Sequence, residues 1–437
     1  ALAVPNRAQL YTAFADSPEV LRRLVELAGA SPPTMRLLSN HQELLDTLFS
    51  EEIIEHEPKG REQMRDELRQ RLGLPEELRP GTPRGYPERQ AQTIASFIRR
   101  ERLRIIARDV WGEARGVDTA RDLTNLTEAV LECALQMVQA SAIEQNPEWE
   151  EVLRSVAIVG MGKLGGWELG YASDADILFV FEHPASVSHA EAYAVTAKMC
   201  EEFLQLCRLV RAQDVPLEVD ARLRPEGRFG AIVRTTDDYR QYYLTRGETW
   251  ERQALIKARP VAGNPTVGER WRQMVEEEVV YARGLTEEEM ESIRHIKRRV
   301  ENERLKPECR WRDVKLGHGG MVDIEFTVHA WQLRVGKQHR SVRHTSTLSA
   351  LYALRMIALV SPADSRNVAE AYPLWSTIRN ALTLRHGIPR DVIPDDEAEL
   401  RVLARILGRE EPAQMLQEFE QLMREVRGWV ERDLFGD

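Results

Sequence analysis

Residues 155–182, SVAIVGMGKLGGWELGYASDADILFVFE, constrain the fold of this chain more than any other stretch. Two short apolar runs, SVAIVGM and ADILFVF, flank a glycine-rich turn, and each reads as a strand buried on both faces. Gly160-x-Gly162-x-x-Gly165 looks like a dinucleotide-binding fingerprint. That fingerprint requires a helix of about ten or more residues before the next strand, and an acid where that strand ends. Here Gly170 and Tyr171 interrupt any such helix, and Asp174 and Asp176 stand where the second strand begins. A Walker loop fails too, because no Ser or Thr follows Lys163.

A strand, a Gly-Gly turn into a short helix, and Asp-x-Asp heading the next strand satisfy the spacing. Alternate strand residues point the same way, so Asp174 and Asp176 project together. Carboxylates that close repel each other and call for a cation. Magnesium suits them, being hard, oxygen-seeking and usually completed by substrate phosphates. Further on, PLEVDARLRP alternates apolar Leu217, Val219, Ala221 and Leu223 with Glu218, Asp220, Arg222 and Arg224. This predicts a half-buried strand over 217–223 that brings Asp220 in as a third acid. Three acids on two ions form a clamp for phosphoryl or nucleotidyl transfer. Backbone amides at Gly165 and Gly166 can approach a phosphate without side-chain obstruction. The structural alternatives are an Asp pair that caps a turn and an Asp220 paired with Arg222 or Arg224.

Around this unit the chain reads as helix. SPEVLRRLVELAGAS, SFIRRERLRIIARDVWG and LTNLTEAVLECALQMVQASAI carry apolar residues at helical spacing. Loops are predicted at the Pro-rich breaks 32–33 and 78–87. Helical periodicity returns over 188–211 and again from Thr286, ending behind Pro412 with Leu416, Phe419, Leu422, Val426 and Val430 on one stripe. The predicted class is α+β: a helical region over 1–151, a compact α/β unit over 152–283, and a helical bundle over 284–437.

A net charge of −10 argues against broad nucleic-acid binding. No apolar run approaches the roughly 18 residues of a membrane span, and no signal-peptide pattern opens the chain. Cys133, Cys200, Cys207 and Cys309 are too scattered for a disulfide framework or a zinc site, so a reducing cytoplasm is expected. The opening ALAVPNR, without Met, is expected of a fragment or a processed product.

Gly-Gly, a short spacer, Asp-x-Asp and a later strand acid resemble the nucleotidyltransferase superfamily that includes DNA polymerase β. GMGKLGGWELGYASDAD, VDARLRPEGRFG, TWERQALIKARPVAG and KLGHGGMVDIEF, with the leading LLSNHQELLDTLF, resemble the glutamate–ammonia-ligase (glutamine synthetase) adenylyltransferases. Members of that family typically carry two such halves. The amino-terminal half removes AMP from glutamine synthetase by phosphorolysis, and the carboxy-terminal half attaches it. This chain has one copy, and GGWELGY, VDARLRP and TWERQAL look closer to the attaching half.

The resemblance implies a central polymerase β-like domain and AMP transfer from ATP to a tyrosine hydroxyl of glutamine synthetase. It implies two magnesium ions on Asp174, Asp176 and Asp220, phosphates lined by Gly165, Gly166 and Ser173, and a triphosphate neutralised by Arg222, Arg224 and Lys257. Regulation by glutamine and a PII-type protein is implied as well. The alternatives are phosphorolytic removal of AMP and an inactive regulatory module; the three intact acids argue against the second. Lys163 either reaches a phosphate or caps its loop. Asp323 and Glu325 are implied to lie near the site, with helix capping as the alternative. His329 and the pair Cys200 and Cys207 read as packing. Trp167 and Trp250 read as core residues, with adenine stacking as the alternative.

Overall fold

The computed structural model describes residues 18–49, 58–75, 87–112, 114 and 116–436. The predicted loop at 78–87 lies outside them except for Pro87, which opens a helix. The longer helices before the sheet are α1 (Pro18–Ala30), α2 (Pro32–Asn40), α3 (Arg61–Leu72), α4 (Pro87–Val110) and α5 (Gly116–Gln145). The Pro32–Pro33 break proves to be the first turn of α2, where proline's missing amide costs nothing, with Ser31 capping it.

The central unit runs β1 (Ala157–Gly160), α6 (Gly162–Gly165), β2 (Ala175–Phe181), α7 (His189–Arg211), β3 (Val219–Asp220), β4 (Val233–Thr235), α8 (Thr236–Thr245), α9 (Thr249–Ala254), β5 (Arg259–Gly263) and α10 (Pro265–Met274). The order across the sheet is β3-β2-β1-β5, and β4 pairs with β2 beyond β3. β1 runs antiparallel to both β2 and β5, while β3 and β4 run parallel to β2. Antiparallel β1 and β2 exclude the dinucleotide-binding crossover, which needs parallel strands. After the sheet follow α11 (Glu287–Arg304), α12 (Met321–Val335), α13 (Thr347–Met356), α14 (Pro362–His386), α15 (Glu397–Ile406) and α16 (Pro412–Val430).

The nearly continuous apolar runs have a direct structural cause. Ile158, Ile177, Phe179 and Phe181 enter one core with α4, α5 and α7, whereas Ala157, Val159, Leu178 and Val180 enter a second with α12, α14 and α16. Alternate residues of the same strands serve opposite cores, so hardly any position of β1 or β2 can be polar. Cys200 and Cys207 are buried in the first core. The strand predicted over 217–223 is shorter than its alternation suggested. Only Val219 and Asp220 pair, because the chain turns at Arg222 and leaves the sheet.

Candidate active site

The parallel register of β2 and β3 sets Asp176 directly opposite Asp220. Asp174 stands just ahead of β2, two residues from Asp176 and on the same face. The sheet therefore brings together the three acids expected from the sequence. Burial, then the charges of Asp220 and Asp174, push the Asp176 carboxyl up to about 7. Asp220 is held low by Arg222, whose Nε donates to both carboxylate oxygens at 2.9 and 2.8 Å and whose backbone amide adds a third bond at 2.8 Å. The Arg222 side chain is 75% exposed, so this pairing is a surface contact that a competing ligand can displace.

The glycine facing these acids is Gly162. Its φ of +51° is one that L-residues rarely adopt, and a Cβ there would lie 3.0 Å from Asp176 Oδ2. Gly165 serves a different purpose: a Cβ on it would come within 1.7 Å of the Lys257 carbonyl oxygen, so the turn packs backbone to backbone against the approach to β5. The amides of Gly165 and Gly166 donate to Met161 and Gly162 carbonyls at 3.1 Å each. Both donors expected to meet phosphate are thus committed within α6, and the close approach to the acids occurs at Gly162.

Three further expected residues have partners within the fold. Ser173 Oγ accepts from the Gly170 amide at 2.9 Å and closes the spacer turn. Arg224 donates to the carbonyls of Ala221 (2.7 Å), Gly230 (3.1 Å) and Arg228 (3.2 Å), so it staples its own loop. Lys257 is buried, and its Nζ lies 2.5 Å from Glu168 Oε2 and 3.5 Å from Glu325 Oε1. Burial opposes its charge, but the two carboxylates prevail and raise its pKa.

Sequence reasoning named Lys257, Lys163 and Glu325 but missed Glu168 and Tyr372, which join them in one cluster. Glu168, in the spacer between the glycines and the aspartates, accepts from Lys257, from the Tyr372 hydroxyl (2.8 Å) and from the Thr347 amide at the start of α13 (2.8 Å). Glu325 Oε1 lies 2.6 Å from the same hydroxyl, which has one proton to share between the two carboxylates. Against the opposing effect of burial, Lys257 and Lys163 hold the Glu325 carboxyl low. Lys163 is itself pushed down to about 7, first by burial and then by Arg379. Arg259 binds the Gly165 and Leu164 carbonyls at 3.2 Å each and stacks on Trp167, its guanidinium 3.5 Å from the ring centroid. The glycine turn is therefore gripped from β5 and from the carboxy-terminal helices. A glutamate within an otherwise glycine-rich and apolar spacer was the one available signal.

The remaining residues are structural. Asp323 is fully buried between Lys297 and Arg427 and accepts from the Gly319 amide, clamping α11, α12 and α16. His329 is buried, and burial pushes its imidazole down to about 3. Trp167 and Trp250 are not core residues: each is 40% exposed, and Trp250 Nε1 donates to Glu248. Among the described residues no group of three or more His, Cys, Asp or Glu is arranged to hold a metal ion. The acids of β2 and β3 nonetheless suit a hard cation. All are oxygen donors, Asp176 is destabilised by its neighbours, and Asp220 already seeks a positive partner in Arg222.

The family model described as glutamate-ammonia ligase adenylyltransferase matches residues 21–274, and a GlnD PII-uridylyltransferase model matches 286–432. A bifunctional glutamine synthetase adenylyltransferase/adenylyl-removing enzyme of Corynebacterium efficiens is 35% identical over 354 residues, covering 80% of this chain and 34% of that protein. Proteins of the same name from Mycobacterium leprae and Mycobacterium marinum are 34% and 33% identical over 96% and 99% of the chain. The chain spans only 41% and 43% of their lengths. No helix among the described residues is long and apolar enough to cross a membrane. With a model match across more than half of its residues, carrying the glycine turn and all three acids, the chain belongs to the glutamate-ammonia ligase adenylyltransferase family.

Proposed function

We propose that this chain transfers AMP from ATP to a tyrosine hydroxyl of glutamine synthetase and releases pyrophosphate. The observation that carries the reading is the register of Asp176 on Asp220, with Asp174 beside them and Gly162 against Asp176. Asp174, Asp176 and Asp220 would hold magnesium, which when bound supplies charge neutralisation for the triphosphate and the departing pyrophosphate. The Gly162 turn leaves room for a phosphate to approach the backbone. Arg222, largely exposed, can turn from Asp220 to the phosphate oxygens. The tyrosine oxygen forms its bond to the α-phosphorus as the bond to the β-phosphate oxygen breaks. Once Arg222 turns away, the contact that holds Asp220 low is gone, and Asp220 accepts the tyrosine proton.

The attaching direction is favoured by GGWELGY, VDARLRP and TWERQAL, whereas the relatives' names carry both attachment and removal. Glutamine and a PII-type protein as regulators belong to the same reading. The test supplies labelled ATP, magnesium and unmodified glutamine synthetase, and in parallel modified synthetase with phosphate. AMP-tyrosine in the first supports attachment; ADP in the second without AMP-tyrosine in the first means removal. Asp174→Asn and Asp176→Asn should each lower AMP transfer by about 10²–10³ or more with an unchanged circular dichroism spectrum. Near-normal turnover in either variant would refute the metal assignment.

A further inference from the structure

The loop joining β3 to β4, residues 221–232, leaves the sheet immediately after Asp220. Its tip carries Phe229, which at 84% has the greatest exposure of any large hydrophobic residue described. An aromatic side chain in water is ordinarily excused by mobility, but this loop is braced. Arg224 binds three of its carbonyls, the Gly227 amide donates to the Arg224 carbonyl at 2.9 Å, and Glu226 pairs with Arg234 at 2.7 Å and Arg246 at 2.9 Å. Glu226 is held at a φ of +63°, a strained conformation maintained by those contacts. Arg228 is exposed and stacks on Phe229 with its guanidinium 4.6 Å from the ring centroid. No carboxylate partner of Arg228 is found among the described residues.

An open groove of about 940 Å³ runs from this loop along α7, with Asp220 in its wall. Lys198, Arg208, Arg222, Arg224 and Arg228 border it, against Glu201, Glu202, Glu218 and Asp220, the last already paired with Arg222. Two of the other acids also have basic partners: Glu202 lies 3.9 Å from Lys198 and Glu218 2.6 Å from Arg211. With Arg211 included, six basic side chains stand against four acids, so on a chain of net charge −10 the groove carries a small positive excess and ends at a candidate catalytic acid.

We propose that the 221–232 loop is a docking finger for the protein that receives AMP. The occupant is an acidic segment of that acceptor, lying along the groove, with an apolar pocket that covers Phe229 and carboxylates that meet Arg228. Preorganisation favours this use, since a braced loop loses little entropy on binding. Buried aromatic and arginine anchors also carry most interface energy. The inference rests on the AMP-transfer reading, so its test has two separable arms.

In the first arm, Phe229→Ala and Arg228→Glu are compared with the wild-type chain for AMP transfer to glutamine synthetase. Both side chains lie on the surface, so folding should be unaffected, as thermal melting will verify. The KM for synthetase should rise by about tenfold or more in each, and more steeply for Arg228→Glu at low salt, with the KM for ATP unchanged. In the second arm, binding of a fluorescent random Glu–Tyr copolymer is titrated with no nucleotide present. Wild-type binding that weakens in Arg228→Glu supports the finger even if the chain transfers no AMP to synthetase. Equal copolymer binding by all three chains, or an unchanged KM for synthetase in both variants, overturns it.

Discussion

Two glycines three residues apart show how differently the same residue type is used. Gly162 is required by its backbone conformation and by the carboxylate beside it, whereas Gly165 is required by a neighbouring carbonyl. Gly162→Ala should therefore cost only about 1–2 kcal/mol of stability while disturbing Asp176 and lowering AMP transfer. Gly165→Ala forces the turn away from Lys257 and should cost about 1–3 kcal/mol or more, measured by urea unfolding. Asp109 offers a residue-level test through pH. Its Oδ2 accepts from the buried Tyr171 hydroxyl at 3.0 Å, yet burial pushes its carboxyl up to about 6. A carboxyl whose pKa is higher when folded favours the folded state fully only below its unfolded value near 3.8, and that contribution is lost as pH rises through about 6. Asp109→Asn should thus be more stable than the parent at pH 8, by about 1–3 kcal/mol, with the gain vanishing below pH 4. Melting temperatures across that range check the sign.

Among the elements, the decisive join is between the spacer after α6 and the helices α12 to α14. Glu168 sits where Lys257, Tyr372 and the first amide of α13 converge, so the piece of chain that sets Asp174 and Asp176 is anchored by the carboxy-terminal bundle. Removing one partner of a buried pair strands the other charge. Glu168→Ala should lower stability by about 3–5 kcal/mol, with Glu168→Gln milder because it keeps the hydrogen-bond acceptor. If Glu168 also positions the aspartates, the magnesium concentration giving half-maximal AMP transfer should rise in Glu168→Gln, an effect that lost stability alone would not produce. The strand at 217–223 marks where element-level reading from sequence stops. Its alternation was real, but a strand needs a paired neighbour along its length, and Arg224 ties the chain into a turn after Asp220.

Across the whole molecule, a thin sheet serves two cores at once. Phe179 packs into the amino-terminal core while its neighbours Leu178 and Val180 pack into the other. Such sharing should make the two halves unfold together. Phe179→Ala should destabilise the protein by about 3–5 kcal/mol and shift the tryptophan-fluorescence and circular-dichroism transitions equally. Separate shifts would mean that the cores are independent.

The glycine turn, the Asp-x-Asp pair, the third acid at 220 and the helical flanks were legible in the residues, because period and spacing are local properties of a chain. Burial on both faces of β1 and β2 was legible for the same reason: an unbroken apolar run leaves no face for water. Partner choice was not legible. Whether Lys257 meets a phosphate or Glu168 depends on segments 89 residues apart, and the Tyr372 contact that completes the cluster spans 204; Arg224 on its own loop and Gly162 against Asp176 depend on how the chain between them turns. A charged side chain pairs with whatever the fold brings within a few ångströms, and only the tertiary structure decides that.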